Sequence, residues 1–380
     1  MHDHLADADV LTDVAAAALD APVDGIEGEV VEPLGHTVLN PSTGGLWRVS
    51  GIAATPTGAR PWTAVAKLLT RPRRAEATIA GGDWAGGEEP SAWNRWDREA
   101  HWYRSALPAT LPAGLRAPRL LADQRLDEDR WLLWLEDVDG RPGGQWTDVE
   151  AGAAARLLGR WQGAWVAEPD APPLPEEPWL TRGHLRAWTP TEEVVDLDRL
   201  GARASWRHPI VAAHVPDDLP DAVRRVWARR DELLARVEDG PRTLAHHDVW
   251  PPNLVATSDG VVLLDWAHAG VAAPAEDVAT LVYDSAFMFR LPLARLPGWE
   301  AAVLDGYAAG LLDAGAPTMA AAAAGLYAAV AALRFGLLAG AVVAQAMDDA
   351  GRADAEARHG RPLEEIVATR AALVRRALEV

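Results

Sequence analysis

The segment His246-His247-Asp248-Val-Trp250-Pro-Pro-Asn253 sets two imidazoles, a carboxylate and an amide within eight residues, and Leu264-Asp265-Trp266 adds a second carboxylate twelve residues after Asn253. Between them, Thr257-Ser-Asp-Gly260 is a turn signal flanked by apolar runs, which predicts a short hairpin. Such a hairpin would carry Asp248 and Asn253 on the loop entering it and Asp265 at its far end, so that two carboxylates and an amide converge around one cavity. Hard oxygen donors of this kind suit Mg²⁺, which is commonly held by one or two carboxylates together with substrate phosphates. A further carboxylate beside such a phosphate can accept the proton of an attacking hydroxyl. Lys67 is the only lysine, against 35 arginines. A compact ammonium is not equivalent to arginine's planar fork for gripping a phosphate. Each feature alone has a plainer reading: Asp248 or Asn253 as a turn cap, Lys67 as a chance survivor. Those readings do not account for the four residues together.

The elements that must position these groups follow from periodicity. Residues 7–19 carry an apolar face at helical spacing, and residues 29–37, 46–54 and 62–69 read as strands separated by turn-rich segments, an antiparallel meander with Lys67 on its third strand. Residues 71–92 are polar, contain Gly81-Gly82 and Gly86-Gly87, and read as a connection. A stripe of Trp93, Trp96, Ala100, Tyr103 and Leu107 predicts a helix over 92–107, and strands are expected at 119–122 and 130–135. After a break at 136–144, helices are expected at 147–166, 221–237, 297–314, 318–350 and 363–378, with a Pro-rich loop at 167–178. A sheet-rich first third and a helix-rich remainder indicate an α+β protein of two lobes, divided here as 1–138 and 139–380.

In order and spacing these segments resemble the aminoglycoside phosphotransferase and choline kinase group, small-molecule kinases with the protein-kinase-like fold. The group's His-x-Asp-x4-Asn loop reads here as His246, Asp248 and Asn253, and its metal motif as Leu264-Asp265-Trp266. Ala64-Val-Ala-Lys67 is similar to the nucleotide-lysine strand, with Glu99 on the next helix placed like its ion-pair partner. Trp131-Leu-Leu-Trp-Leu-Glu136-Asp-Val138 looks like the hinge strand, and Glu276-Asp277-Val-Ala resembles the segment whose aspartate braces the catalytic loop. The resemblance implies an N-lobe of antiparallel sheet with one main helix and a mostly helical C-lobe. It also implies Asp248 as base, with His246 orienting the loop, and Asn253 and Asp265 on Mg²⁺. Lys67 paired with Glu99 would hold the phosphates of ATP or GTP, with Glu136 and Val138 beside the base. Ser42 and Thr43 are candidates on the nucleotide-covering turn, which lacks Gly-x-Gly-x-x-Gly. Two further departures stand out: His247 where relatives often have Gly, and Gln162 where they commonly have His.

Composition narrows the partners. A net charge of −19 argues against a nucleic-acid partner and suits a cation or plain solubility. Without cysteine there is no disulfide, thiolate catalysis or thiolate metal site. The acidic N-terminus is no secretion signal, and the apolar stretch 319–347 reads as a buried helix rather than a membrane span, so a cytoplasmic location is expected. The expected reaction is Mg-dependent transfer of a γ-phosphate to a hydroxyl of a small molecule, an aminoglycoside or other antibiotic, with Trp250, Glu276 and Asp284 as acceptor-contact candidates. Alternatives are a kinase of a metabolic sugar, amino sugar or amino alcohol, a pseudokinase-like binding module, and a metal phosphohydrolase. Abundant Ala, Gly, Pro and Arg fit a GC-rich genome. The sequence leaves the oligomeric state unknown.

Overall fold

The computed structural model describes residues 5, 7–35, 41–72, 89–167, 169 and 171–379. The chain begins with α1 (Ala8–Leu19), β1 (Gly25–Pro33), β2 (Thr43–Thr55), β3 (Gly58–Thr70), α2 (Arg98–Arg104), β4 (Leu115–Arg116), β5 (Leu120–Arg125) and β6 (Arg130–Glu136). It continues through α3 (Asp148–Gly163), α4 (His184–Trp188), α5 (Leu219–Ala228), α6 (Arg230–Glu238), β7 (Thr243–Ala245), β8 (Leu254–Thr257), β9 (Gly260–Leu263) and β10 (Gly270–Ala272). It ends with α7 (Glu276–Phe287), α8 (Leu296–Asp313), α9 (Pro317–Arg334), α10 (Ala339–Ala346) and α11 (Leu363–Ala377). Further short helices lie between α4 and α5 and before α11. The chain forms two compact units. The first comprises Met1–Arg141, Glu177–Thr181 and Val255–Ala269, and the second Pro142–Glu176, Arg182–Leu254 and Gly270–Val380.

In the first unit, five strands pair antiparallel in the order β1-β2-β3-β6-β5. Side chains alternate between the faces of a strand. On β3, Trp62, Ala64, Ala66 and Leu68 therefore share one face, where they join Leu11, Val14 and Ala15 of α1 in a buried cluster. Lys67 has the opposite parity and belongs to the other face, between Leu46 of β2 and Leu133 of β6 in register. Asp7 caps α1, accepting from the amides of Asp9 and Val10. The expected hairpin is present as β8 and β9, and β9 also pairs in parallel with β4. Its turn needs glycine at 260, where φ is +133° and a Cβ would lie 2.2 Å from the carbonyl oxygen of Gly114.

In the second unit, α3 starts on a capping box, Thr147 with Glu150, and lies close against α8. Glycines on both helices permit that approach: a Cβ at Gly159 would stand 2.3 Å from the Tyr307 carbonyl oxygen, and one at Gly310 2.1 Å from that of Arg156. Strands β7 and β10 form a two-stranded antiparallel pair.

Several expectations need correction. The helix read over 92–107 is only α2, because the chain before it folds in turns around Arg98, whose guanidinium takes the carbonyls of Ala92 and Trp93. The helix read over 221–237 is two helices broken at Arg229, with φ −105° and ψ 6°. That over 318–350 is split into α9 and α10 by a 3₁₀ turn, Gly336–Leu338, where Gly336 lies against Leu378. Among the described residues, Pro317–Ala346 is the one stretch long and apolar enough to cross a membrane, and most of it is buried in the second unit. The connection with Gly81-Gly82 and Gly86-Gly87, and residues 36–40 of the nucleotide-covering turn, lie outside the described residues.

Candidate functional site

Within the first unit, Lys67 meets two carboxylates. Its Nζ lies 2.6 Å from Glu99 Oε2 and 2.8 Å from Asp265 Oδ1. Lys67 and Glu99 are buried, whereas the Asp265 side chain is 36% exposed. Burial pulls the Lys67 pKa down, but Asp265 and Glu99 more than reverse this and leave it above the ordinary lysine value. Burial pushes Glu99 up, Lys67 opposes this, and the Asp265 charge adds to the rise. One ammonium between two carboxylates leaves the group one negative charge in excess, a setting that favours a further cation.

The geometry of this group is fixed by its neighbours. Asp265 has φ 61°, and the next residue, Trp266, is fully buried. The Trp266 indole stacks on Trp102 with centroids 3.9 Å apart, and its Nε1 donates to the Leu263 carbonyl. Trp102 is three residues after Glu99, one turn further along α2, so a single short helix holds both the carboxylate and the stacking platform. Arg98 closes the arrangement. It is fully buried and donates to the carbonyls of Trp179, Ala267, Trp93 and Ala92, tying Glu177–Thr181 and the segment after Asp265 to the start of α2. Burial lowers its pKa below the ordinary guanidinium value. Arg98→Met takes the guanidinium away from four carbonyls, of which that of Ala92 keeps the Arg95 amide as donor, and is expected to destabilise the first unit by roughly 3 kcal/mol, read as a drop of several degrees in thermal midpoint. An unchanged midpoint would show that the carbonyls find other partners.

Within the second unit, the loop after β7 is organised by Asp277. The buried Asp277 carboxylate accepts from the backbone N–H of His246 at 3.0 Å and of His247 at 2.6 Å, and from Gln162 Nε2 at 2.7 Å. Gln162 accepts in turn from the Tyr307 hydroxyl at 2.6 Å, which accepts from the Ala275 amide. Close packing of α3 on α8 thus places the loop brace. Burial raises Asp277 to about 6 against its hydrogen bonds from His246 and His247, and burial likewise raises Glu276 to about 7. The Asp248 amide donates to His246 Nδ1 at 3.2 Å, so His246 props the loop backbone. Asn253 Nδ2 donates to both the carbonyl and the Oδ2 of Asp248, at 2.9 and 2.7 Å. That commits the amide nitrogen and leaves oxygen as the Asn253 atom suited to a hard cation.

The other candidates sit as follows. Arg116 holds the Glu136 carboxylate in a bidentate pair at 2.7 and 2.9 Å, so the main chain of 136–138 is what that segment can offer a ligand; Val138 is half-buried. Ser42 is buried and its carbonyl accepts from the Thr70 amide, while Thr43 begins β2 and is half-buried. Trp250 is half-buried, two residues after Asp248. Glu276 is buried, accepting from the Ala273 amide, and Asp284 is half-buried and paired with Arg334 at 3.0 Å. Sequence reasoning missed Arg98, Tyr307 and His184, which carry no local signal. Gln162 was visible only as a departure from a pattern.

The model of the phosphotransferase enzyme family matches residues 66–325, more than half of the chain. No curated protein matches the sequence. Among solved structures, an amicoumacin kinase in complex with AMP-PNP, Ca²⁺ and Ami is similar at 14% identity, covering 96% of this chain and 97% of that one, with a TM-score of 0.45. An aminoglycoside phosphotransferase from Alicyclobacillus acidocaldarius is 16% identical, with 96% of each chain covered and a TM-score of 0.47. A choline kinase from Cryptosporidium parvum is 10% identical, covering 92% and 88%, at 0.47.

Proposed function

We propose, from the premise that this chain belongs to the phosphotransferase enzyme family, that it moves the γ-phosphate of ATP or GTP to a hydroxyl of an aminoglycoside or another antibiotic, with Mg²⁺. That it is a small-molecule kinase follows from the family; the donor, the metal and the acceptor are the proposal. The observation that carries its donor side is the pairing of the chain's one lysine with Glu99 and Asp265. Nothing in the apolar packing of β3 calls for an ammonium there, and a phosphate-holding lysine braced by a helix glutamate does.

In this reading residues 1–138 are the nucleotide lobe and 139–380 the catalytic and acceptor lobe. Lys67, oriented by Glu99, holds donor phosphates, with Ser42 and Thr43 on the covering turn and the main chain at Glu136 and Val138 beside the base. Asp265 and Asn253 offer carboxylate and amide oxygens, a donor set that fits Mg²⁺. The metal, when bound, would neutralise charge on the transferring phosphate. Asp248 takes the proton of the acceptor hydroxyl, and His246 keeps the Asp248 main chain in place. Trp250 and Asp284 are proposed on the acceptor side; Glu276, expected there as well, is buried with its oxygens turned to the Ala273 amide and His247 and is not. The net charge of −19 supports a cationic acceptor, and a cytoplasmic location is part of the same proposal.

The test is transfer from ATP or GTP, with and without Mg²⁺, to a panel of aminoglycosides, nucleoside antibiotics, amino sugars and choline. Phosphorylation of an antibiotic supports the proposal, and exclusive use of choline or a metabolic sugar replaces its acceptor. Lys67→Arg puts a broad planar cation where two carboxylates grip a point charge. It is expected to lower kcat/KM roughly 100-fold with a near-normal thermal midpoint. Unchanged kinetics would remove Lys67 from the donor site.

A further inference from the structure

His247 adopts φ 67°, a left-handed conformation that a residue with a Cβ resists. It immediately precedes Asp248, so the torsions at 247 aim the peptide that carries the proposed base. The side chain here is not solvent-facing: it is 2% exposed, its ring stacks on His184 with centroids 4.1 Å apart and planes 22° from parallel, and its Nε2 lies 3.6 Å from Glu276 Oε2. Glu276 is anchored through Oε1, which accepts from the Ala273 amide at 2.8 Å. Two consecutive acids at the start of α7 therefore act on one residue, Asp277 on the His247 main chain and Glu276 on its ring.

We propose that His247 is a positioning residue, clamped by His184 and Glu276 so that the left-handed turn, and with it the direction of Asp248, is held in one conformation. A glycine at 247 would take the same torsions without strain, but it would also take many others. The imidazole converts a permissive turn into a fixed one. His184, His247 and Glu276 also bring ligand atoms within 4.8 Å of one another. The two imidazoles stack face to face, whereas two histidines on one zinc point a ring nitrogen each toward a common centre. The geometry is that of a packed clamp.

The inference rests on Asp248 being the base, and the experiment separates the two. The variants are His247→Gly, His247→Asn, Glu276→Gln and the double His247→Gly/Glu276→Gln, in the full chain. The readouts are kcat, KM for the nucleotide, thermal midpoint, bound zinc, and hydrogen exchange of the peptide spanning 244–253. His247→Gly is expected to lower kcat roughly 10- to 100-fold, with the nucleotide KM within about twofold of wild type. Exchange in 244–253 is expected to quicken about tenfold. His247→Asn, which tolerates the left-handed turn but lacks the ring, is expected to behave like the glycine variant. The double variant is expected to be no worse than His247→Gly, since both changes break one contact. Wild-type exchange in His247→Gly, wild-type behaviour of His247→Asn, or additive losses in the double variant would overturn the clamp. So would one zinc per chain whose removal by a chelator reproduces the variants. Exchange needs no acceptor, so it decides the clamp even where Asp248→Asn retains full transfer and the base assignment itself falls.

Discussion

Asp248→Asn is expected to lower phosphoryl transfer by roughly 10²- to 10⁴-fold while leaving the thermal midpoint within a few degrees of wild type. The carboxylate is half-buried, and its Oδ2 accepts a hydrogen bond from Asn253 Nδ2. An amide oxygen accepts that bond equally well. The main-chain contacts, the Asp248 amide to His246 Nδ1 and the Asp248 carbonyl from Asn253, are untouched by the change. What disappears is the ability to take a proton at neutral pH, because an amide oxygen is far too weak a base. The measurement is kcat with the best acceptor, set beside thermal denaturation. Full activity would take the base role away from Asp248. A collapsed midpoint would show that the loop needs the charge for folding, and would leave the loss of rate uninformative.

Much of this site was legible because its signals are local. The alternation around Lys67 fixes its face of the sheet from five consecutive residues, and the hairpin between Asn253 and Asp265 is announced by its own turn residues. The α+β division follows from a change of period along the chain, and the phosphotransferase fold from the order of short motifs. What stayed hidden depends on encounters between distant segments. Arg98 satisfies carbonyls up to 169 residues away, and nothing near it in sequence distinguishes it from Arg95 or Arg104. The return of Glu177–Thr181 and Val255–Ala269 to the first unit has no compositional mark. The apolar stripe at 92–107 misled because Trp93 and Trp96 pack at helical spacing although Arg98 holds the preceding turns out of helix. Gln162 could be called unusual, but only the approach of α8 reveals that it relays Tyr307 to Asp277.

That relay leads to the other large effect. Asp277 has three donors aimed at its two oxygens. Asp277→Asn turns one of those oxygens into an N–H facing a donor, so at least one buried amide loses its acceptor, at about 1–3 kcal/mol per group. Transfer is expected to fall at least roughly tenfold as the loop loosens. The wild-type carboxyl should show a milder version of this as it titrates. Its folded value, raised by burial to about 6, exceeds the ordinary aspartate value of 3.8. The folded state therefore binds this proton more tightly than the unfolded chain does. The resulting stabilisation is full below about pH 4 and is lost as pH rises through about 6. Activity runs the other way, since a protonated Asp277 offers a donor where the loop amides need an acceptor. Between pH 7.5 and 5, then, stability linked to Asp277 should rise while kcat falls. Glu276, raised to about 7, adds to the same stability trend. Asp277→Asn should remove one proton's share of the slope, up to about 1.4 kcal/mol per pH unit between pH 4 and 6, and leave the part due to Glu276. Denaturation of both proteins at several pH values between 4 and 7.5 measures that difference. Equal slopes would mean that Asp277 titrates alike in the folded and unfolded chains, and that its three hydrogen bonds offset the full penalty of its burial.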